Sequence, residues 1–207
     1  MPNKYPSQFV ANLLKGVAYA VSKPLWFIRF HGRENIPPSD AGGFVIAANH
    51  QTYIDPVWIT LPMRRRVRFM AFDRAFGWRF VGPFIRYLGA FPVALDRGGR
   101  VRSIKGSLRA LREGAAVVIF PEGGRALASG EFDEFKPGTV RIAMQAGVPI
   151  LPVTITGGNR IWPQGQKYPK LFRRVEITYH PLMQIDADAD PEVETERLRK
   201  IIASVAV

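Results

Sequence analysis

Between Pro6 and Ser22 apolar residues recur at helical spacing: Phe9 and Val10, Leu13 and Leu14, Val17 and Ala18, then Val21. Gln8, Asn12, Lys15 and Tyr19 fall mostly on the opposite side. The pattern predicts an amphipathic helix ended by Pro24, whose ring cannot continue an interior turn. Such a helix either caps a core or lays its apolar face in a bilayer surface. The adjacent Leu25, Trp26, Phe27, Ile28 and Phe30, with flanking lysines and Arg29, tilt the reading towards the bilayer. Beyond it, short apolar runs alternate with helical patterns. Strands are expected at 44–48, 67–72, 90–95, 116–120, 150–156 and 175–180. Helices are expected at 56–61, 74–88, 100–113, 138–145 and 191–206, with Ile104, Leu108 and Leu111 sharing one face of the third. Gly147 stops one of these helices and Pro191 sits in the first turn of the last. Residues 157–170 read as a surface loop.

Alternating strands and helices predict one α/β domain with a mostly parallel mixed sheet flanked by helices. The N-terminal helix occupies residues 1–24 as a possible membrane attachment, and the domain proper runs over 25–207. In such sheets chemistry collects on loops leaving the carboxyl ends of strands. Asn49–Asp55, Asp96 with Arg97, and Pro121–Arg125 answer that description, and all carry charged or titratable groups.

Composition narrows the chemistry. The 207 residues are 47% apolar and 22% charged, the balance of a folded domain. No run is long and uncharged enough for a membrane span, because Lys15, Lys23 and Arg29 interrupt the best candidate. No signal-type cleavage site follows it, so a cytoplasmic location, peripheral to the inner face of the membrane, is expected. With zero cysteines there is no disulfide framework, thiolate zinc site or cysteine nucleophile. A net charge of +12 attracts polyanions of any kind, whether lipid headgroup, nucleic acid or phosphorylated cofactor. The basic residues cluster at 64–68, at 97–105 and at 167–174, and each cluster reads equally as a solvated face.

His50 follows a buried strand and precedes Asp55 by five residues. An imidazole is the natural general base at neutral pH, and a carboxylate on its far nitrogen fixes the tautomer. Asp55 before Pro56 also reads as a helix N-cap, and the sequence leaves both readings open. No Gly-x-Ser-x-Gly elbow occurs, and Ser103 and Ser107 lie inside a helical pattern. Three scattered histidines lack metal-ligand spacing. His31 and His180 are expected to be structural or exposed. The turn Phe120–Ala126 sets Glu122 and Arg125 around Gly123 and Gly124, where the backbone can approach an anion, though a plain Gly-rich turn looks the same.

At this point the residues resemble a family. Asn49-His50-Gln51-Thr52-Tyr53-Ile54-Asp55 is similar to the His-x4-Asp block of the 1-acylglycerol-3-phosphate acyltransferases, within the glycerolipid acyltransferase superfamily. Gly89–Arg97 resembles the second block, Phe120–Arg125 the third and Val148–Val153 the fourth, while Gly32–Pro37 matches the lead-in. The four blocks stand in order over roughly residues 25–180. Two departures concern hydroxyl residues: Gly124 and Ala126 stand where the third block usually has them, which leaves the acceptor open. Thr52 stands where serine is commoner.

The resemblance implies a glycerol-3-phosphate acyltransferase-like fold and direct acyl transfer without a covalent enzyme intermediate. His50 is implied as the base that deprotonates the acceptor hydroxyl, with Asp55 orienting it. Arg97, Arg125 and Lys136 are implied to hold the acceptor phosphate, with Glu122 and backbone near Gly123 in the same site. The implied partners are a lysophospholipid acceptor, acyl-CoA or acyl carrier protein as co-substrate, and an anionic membrane surface. No cofactor, metal or nucleic acid is expected. Rival readings are an acyltransferase of the same family acting on another lysophospholipid, an aminolipid or a glycolipid, and a non-enzymatic binder of anionic lipid or nucleic acid.

Overall fold

The computed structural model describes residues 7–72, 76, 77, 79, 81–87, 89–93, 97–125 and 131–205. Among these residues seven strands form one mixed sheet: β1 (Arg29–His31), β2 (Phe44–Ala48), β3 (Val67–Phe72), β4 (Phe91–Val93), β5 (Ala116–Ile119), β6 (Ile150–Thr156) and β7 (Glu176–Tyr179). Their order is β1-β7-β6-β2-β5-β3-β4, and every neighbouring pair is parallel except β6 with β7. Helices α1 (Gln8–Trp26), α2 (Asp55–Thr60), α3 (Val81–Tyr87), α4 (Arg97–Arg112), α5 (Gly138–Ala146), α6 (Gly158–Ile161) and α7 (Pro191–Ala203) connect and cover them. The mostly parallel α/β domain expected from the alternation is therefore what the chain builds.

β2 is apolar at every position because it is buried on both faces, as central parallel strands are. Phe44, Ile46 and Ala48 join one core with Trp26 and Trp58 from α1 and α2. Val45 and Ala47 join the other with Leu108, Val140 and Leu198 from α4, α5 and α7. Burying one side chain of this size contributes about 1.5–3 kcal/mol. Arg65, from the 64–68 basic cluster, is also inside. It donates to the carbonyls of Pro38, Ala41, Gly42 and Gly114 and lies 4.7 Å over the Phe44 ring, so it ties loops together rather than facing a polyanion.

Several expected boundaries move. α1 runs through Pro24 to Trp26, because a proline in the last turn forfeits one hydrogen bond that tertiary contacts outweigh. There Trp26 meets Trp58 edge-on at 5.5 Å, and Trp58 Nε1 donates to Ser22 Oγ. Phe27, left-handed at φ 42°, ends the helix. Of the apolar run around the helix end, Trp26 and Ile28 are buried, Phe27 stays exposed, and residues 29–31 pair with β7 as an edge strand. On α4 the buried side is Ser103, Ser107, Leu108, Ala110 and Leu111, while Ile104 turns to solvent. The two serines satisfy their hydroxyls on carbonyls four residues back. Within the expected helix at 74–88, α3 covers Val81–Tyr87, and residues 73–75, 78, 80 and 88 lie outside the described residues. The strand expected at 90–95 is seen as β4, and 94–96 lie outside the described residues. The 157–170 segment contains the short helix α6. His180 is buried, donating from Nε2 to Thr154 Oγ1, whose own hydrogen goes to the Ile202 carbonyl. His31 pairs with Glu176 at the sheet edge.

Candidate active site

β5, β2 and β6 lie side by side and parallel, with Ala47 opposite Ile119 and Pro152, so the segments following them leave the sheet together. That places residues 49–55, 120–125 and 157–161 at one end of the domain. Asn49 fixes the first of these. Its side chain exchanges two hydrogen bonds with the Ile155 backbone, at 2.9 and 2.7 Å. Gln51 Oε1 accepts the amides of Gly158 and Asn159. Gly158 must lack a side chain, since a β-carbon there would fall 2.9 Å from Gln51 Oε1.

The loop then folds onto its own carboxylate. Asp55 Oδ2 accepts His50 Nδ1 at 2.9 Å and the amides of Gln51 and Thr52 at 2.6 and 2.7 Å. Oδ1 accepts the Thr52 hydroxyl at 2.6 Å. Asp55 starts α2 ahead of Pro56, but Ile54 holds the cap position, so the carboxylate closes the loop rather than capping the helix. Of the two partners the sequence left open to it, Asp55 takes the His50 ring and not the helix N-terminus. The Asp55 side chain is 0% exposed and that of His50 17%. A buried carboxylate is tolerated only when its oxygens are fully hydrogen-bonded, and here four donors converge on it.

Because a carboxylate only accepts, His50 Nδ1 carries the hydrogen and Nε2 keeps its lone pair. Nε2 has no hydrogen-bond partner among the described residues. The ring stacks on Phe120, centroids 3.9 Å apart and planes 14° from parallel. The His50 amide donates to Glu122 Oε1 at 2.7 Å, and Glu122 Oε2 accepts the Asp133 amide at 3.0 Å. Glu122 is buried, and burial pushes its carboxyl above the usual range while the two amides pull it back. Its visible work is to tie the imidazole-bearing loop to the 120–125 turn.

Arg125 lies over the ring of Tyr53, Cζ 3.6 Å from the centroid, and Tyr53 meets Trp162 edge-on at 5.3 Å. Its Nη1 is buried without a hydrogen-bond partner among the described residues. A buried donor left unsatisfied costs about 1–3 kcal/mol. Gly123, at φ 73°, gives its amide to the Phe120 carbonyl, closing the turn. A β-carbon on Gly123 would fall 3.0 Å from Lys136 Nζ, which places that ammonium over the same turn. Arg97 begins α4; its side chain, with Asp96 and Ala126, lies outside the described residues.

The structure thus joins His50, Asp55 and Glu122 by hydrogen bonds and sets Arg125 and Lys136 on the neighbouring turn. Sequence reasoning missed Phe120 as the imidazole's stacking partner, Tyr53 and Trp162 as the support of Arg125, and Gln51 as the clasp to the first turn of α6. The only signal was the Gly157-Gly158 pair, a mark of close backbone approach.

The family model described as Acyltransferase matches residues 27–156. A 1-acyl-sn-glycerol-3-phosphate acyltransferase of Bacillus subtilis is 30% identical over 160 residues, covering 77% of this chain and 75% of that protein. One from Chlamydomonas reinhardtii is 30% identical over 190 residues, 91% of this chain but 55% of that protein. The chain thus spans about half the length of that curated relative. The crystal structure of the 1-acyl-sn-glycerophosphate (LPA) acyltransferase PlsC from Thermotoga maritima superimposes with a TM-score of 0.73 at 25% identity, over 95% of this chain and 77% of that one. With the His50–Asp55 pair falling inside the matched region, the chain belongs to the acyltransferase family that includes the 1-acyl-sn-glycerol-3-phosphate acyltransferases.

Proposed function

We propose that this protein transfers a fatty acyl group from a thioester, acyl-CoA or acyl carrier protein, to the free hydroxyl of a 1-acylglycerol-3-phosphate at a membrane surface, giving phosphatidic acid. The observation that carries the reading is the His50 imidazole, held by Asp55 through Nδ1 with Nε2 left as a base, beside a guanidinium with an unused buried nitrogen. The relatives, named as 1-acyl-sn-glycerol-3-phosphate acyltransferases, support the same acceptor.

In this mechanism Nε2 takes the proton as the hydroxyl oxygen attacks the thioester carbonyl. The carbon–sulfur bond of the tetrahedral adduct breaks, and the departing thiolate recovers the proton from the imidazolium. Asp55 stabilises the transient positive charge, and general base catalysis of this kind contributes roughly 10²–10⁴-fold. Arg125, Lys136 and Arg97 hold the acceptor phosphate. Glu122 and the bare Gly123 backbone shape the wall against which it lies. No cysteine is available for an acyl-enzyme, and direct transfer requires none. At the membrane α1 supplies the attachment, through exposed Phe9, Leu13, Val17 and Val21 spaced four residues apart.

Purified protein mixed with acyl-CoA and a panel of lysolipids, with products read by mass, tests the reading. Phosphatidic acid from lysophosphatidate, lost in His50→Ala, is expected. Product only from acceptors without a phosphomonoester would redirect the proposal to another lysophospholipid, an aminolipid or a glycolipid as acceptor, in keeping with Gly124 and Ala126 standing where hydroxyls are usual.

A further inference from the structure

A second feature at the catalytic end of the sheet lies outside the reaction site: the segment between α6 and β7. From Trp162 to Val175 it carries four cations and no acidic residue. Lys167, Lys170, Arg173 and Arg174 are all exposed. Between them stand Tyr168, Leu171 and Phe172, which are 69%, 44% and 65% exposed. Three large apolar side chains left in water within one short basic segment mark a contact surface rather than ordinary scatter.

The segment is held in place, so this exposure is built. Lys170 N donates to the Ile161 carbonyl at 2.8 Å, and Trp26 Nε1 donates to the Lys170 carbonyl at 2.9 Å. Phe172 N donates to the Leu25 carbonyl at 2.7 Å. Phe172 sits at φ 57°, a left-handed conformation that a bulky residue rarely adopts, and there its ring faces solvent. The segment therefore rests on the last turn of α1 on one side. On the other it follows Trp162, whose ring meets Tyr53 beside Arg125.

We infer that residues 167–174 are a second membrane-contact element, inserting Leu171 and Phe172 below the headgroups of an anionic bilayer. The flanking lysines and arginines pair with lipid phosphates, and Tyr168 sits at headgroup depth. Each cation near an anionic surface is worth about fivefold in partitioning. An acidic protein would satisfy the cations but gives Leu171 and Phe172 nothing to enter, so the apolar tips favour the bilayer. This seats the catalytic loops against the lipid from which the acceptor comes. The inference rests on the lipid-surface part of the proposed function and not on the reaction itself.

The absence of cysteine allows a clean test on the full chain. Leu171→Cys and, on the far helix α7, Glu196→Cys are each labelled with an environment-sensitive dye and mixed with phosphatidylglycerol-containing vesicles. The label at 171 is expected to shift to the blue and be quenched by lipids spin-labelled in the acyl chain, while the label at 196 is not. Lys167→Gln with Lys170→Gln and Arg173→Gln should weaken vesicle co-sedimentation at least tenfold, with folding checked by circular dichroism. A label at 171 that stays in water, with or without sedimentation of the protein, overturns the inference. So does a triple variant that loses affinity for acyl carrier protein while holding vesicles as the native chain does. His50→Ala carrying the label at 171 reports separately, since it should dock normally whether or not the proposed reaction is right.

Discussion

Asp55 Oδ2 receives His50 Nδ1 at 2.9 Å, and the same oxygen receives the amides of Gln51 and Thr52, the two residues that follow the histidine. One carboxylate therefore sets both the ring's tautomer and the backbone that carries it. Its two tasks separate by substitution. Asp55→Asn keeps the volume but turns an acceptor into a donor at one oxygen, and it should lower the transfer rate by about 10²–10⁴-fold. Asp55→Ala additionally leaves two buried amides unpaired and should lower unfolding free energy by about 2–5 kcal/mol in urea titrations. An Asn variant with native rate would remove Asp55 from the mechanism.

Arg125 should act on acceptor binding rather than on the chemical step. Arg125→Ala loses charge-assisted hydrogen bonds of about 1.5–3 kcal/mol each, so KM for a phosphorylated acceptor should rise roughly 10–100-fold. Acceptors lacking the phosphate should show no comparable change. Steady-state kinetics across a matched pair of acceptors decides this, and equal effects on both would deny a phosphate contact.

Lys15 makes a pH-dependent contribution to stability. Its ammonium is buried between α1 and the segment after α2, donating to the carbonyls of Met63 and Arg65. Burial lowers its pKa from 10.5 to about 8. Between those values the unfolded chain binds a proton that the folded chain does not, so stability rises with pH across about 8 to 10.5. Below that window both states are protonated and the contribution is flat. The native protein should therefore gain up to about 3 kcal/mol relative to Lys15→Met from pH 8 to 10.5, with no drift between pH 6 and 7.5. Paired urea titrations at each pH measure the difference.

The exposed stripe of α1 is separable from its buried edge. Ser22 and Trp26 pack into the core, so removing the whole helix would unfold its docking site along with any membrane function. Phe9→Ser with Leu13→Ser and Val17→Ser leaves that edge intact. Co-sedimentation with anionic vesicles should fall at least tenfold while thermal stability changes by no more than a few degrees. Unchanged co-sedimentation would leave α1 as a core cap only.

Periodicity and turn chemistry determine much of this protein locally. The runs at 44–48 and 150–156 are strands because β-branched and small apolar residues buried on both faces leave no other arrangement. The spacing of His50 and Asp55, joined by a short loop, likewise brings base and carboxylate within reach before any long-range contact is known. What the sequence could not decide depends on contacts between residues far apart in the chain, 36 positions for Ser22 and Trp58 and 106 for Asn49 and Ile155. That Pro24 lies inside a helix follows from Trp26 and Ser22 finding Trp58, not from any local preference. That residues 29–31 are a strand follows from β7 offering an edge. The neighbours of His50 were also a tertiary matter. Phe120 and Glu122 reach it because β5 lies next to β2, and Asn49 clasps β6 and Gln51 the α6 turn that follows it because that strand lies on the other side. Strand order is set by the sum of many weak side-chain fits across the sheet, which no single segment encodes, and it is strand order that turned a dyad legible in one loop into a site with walls.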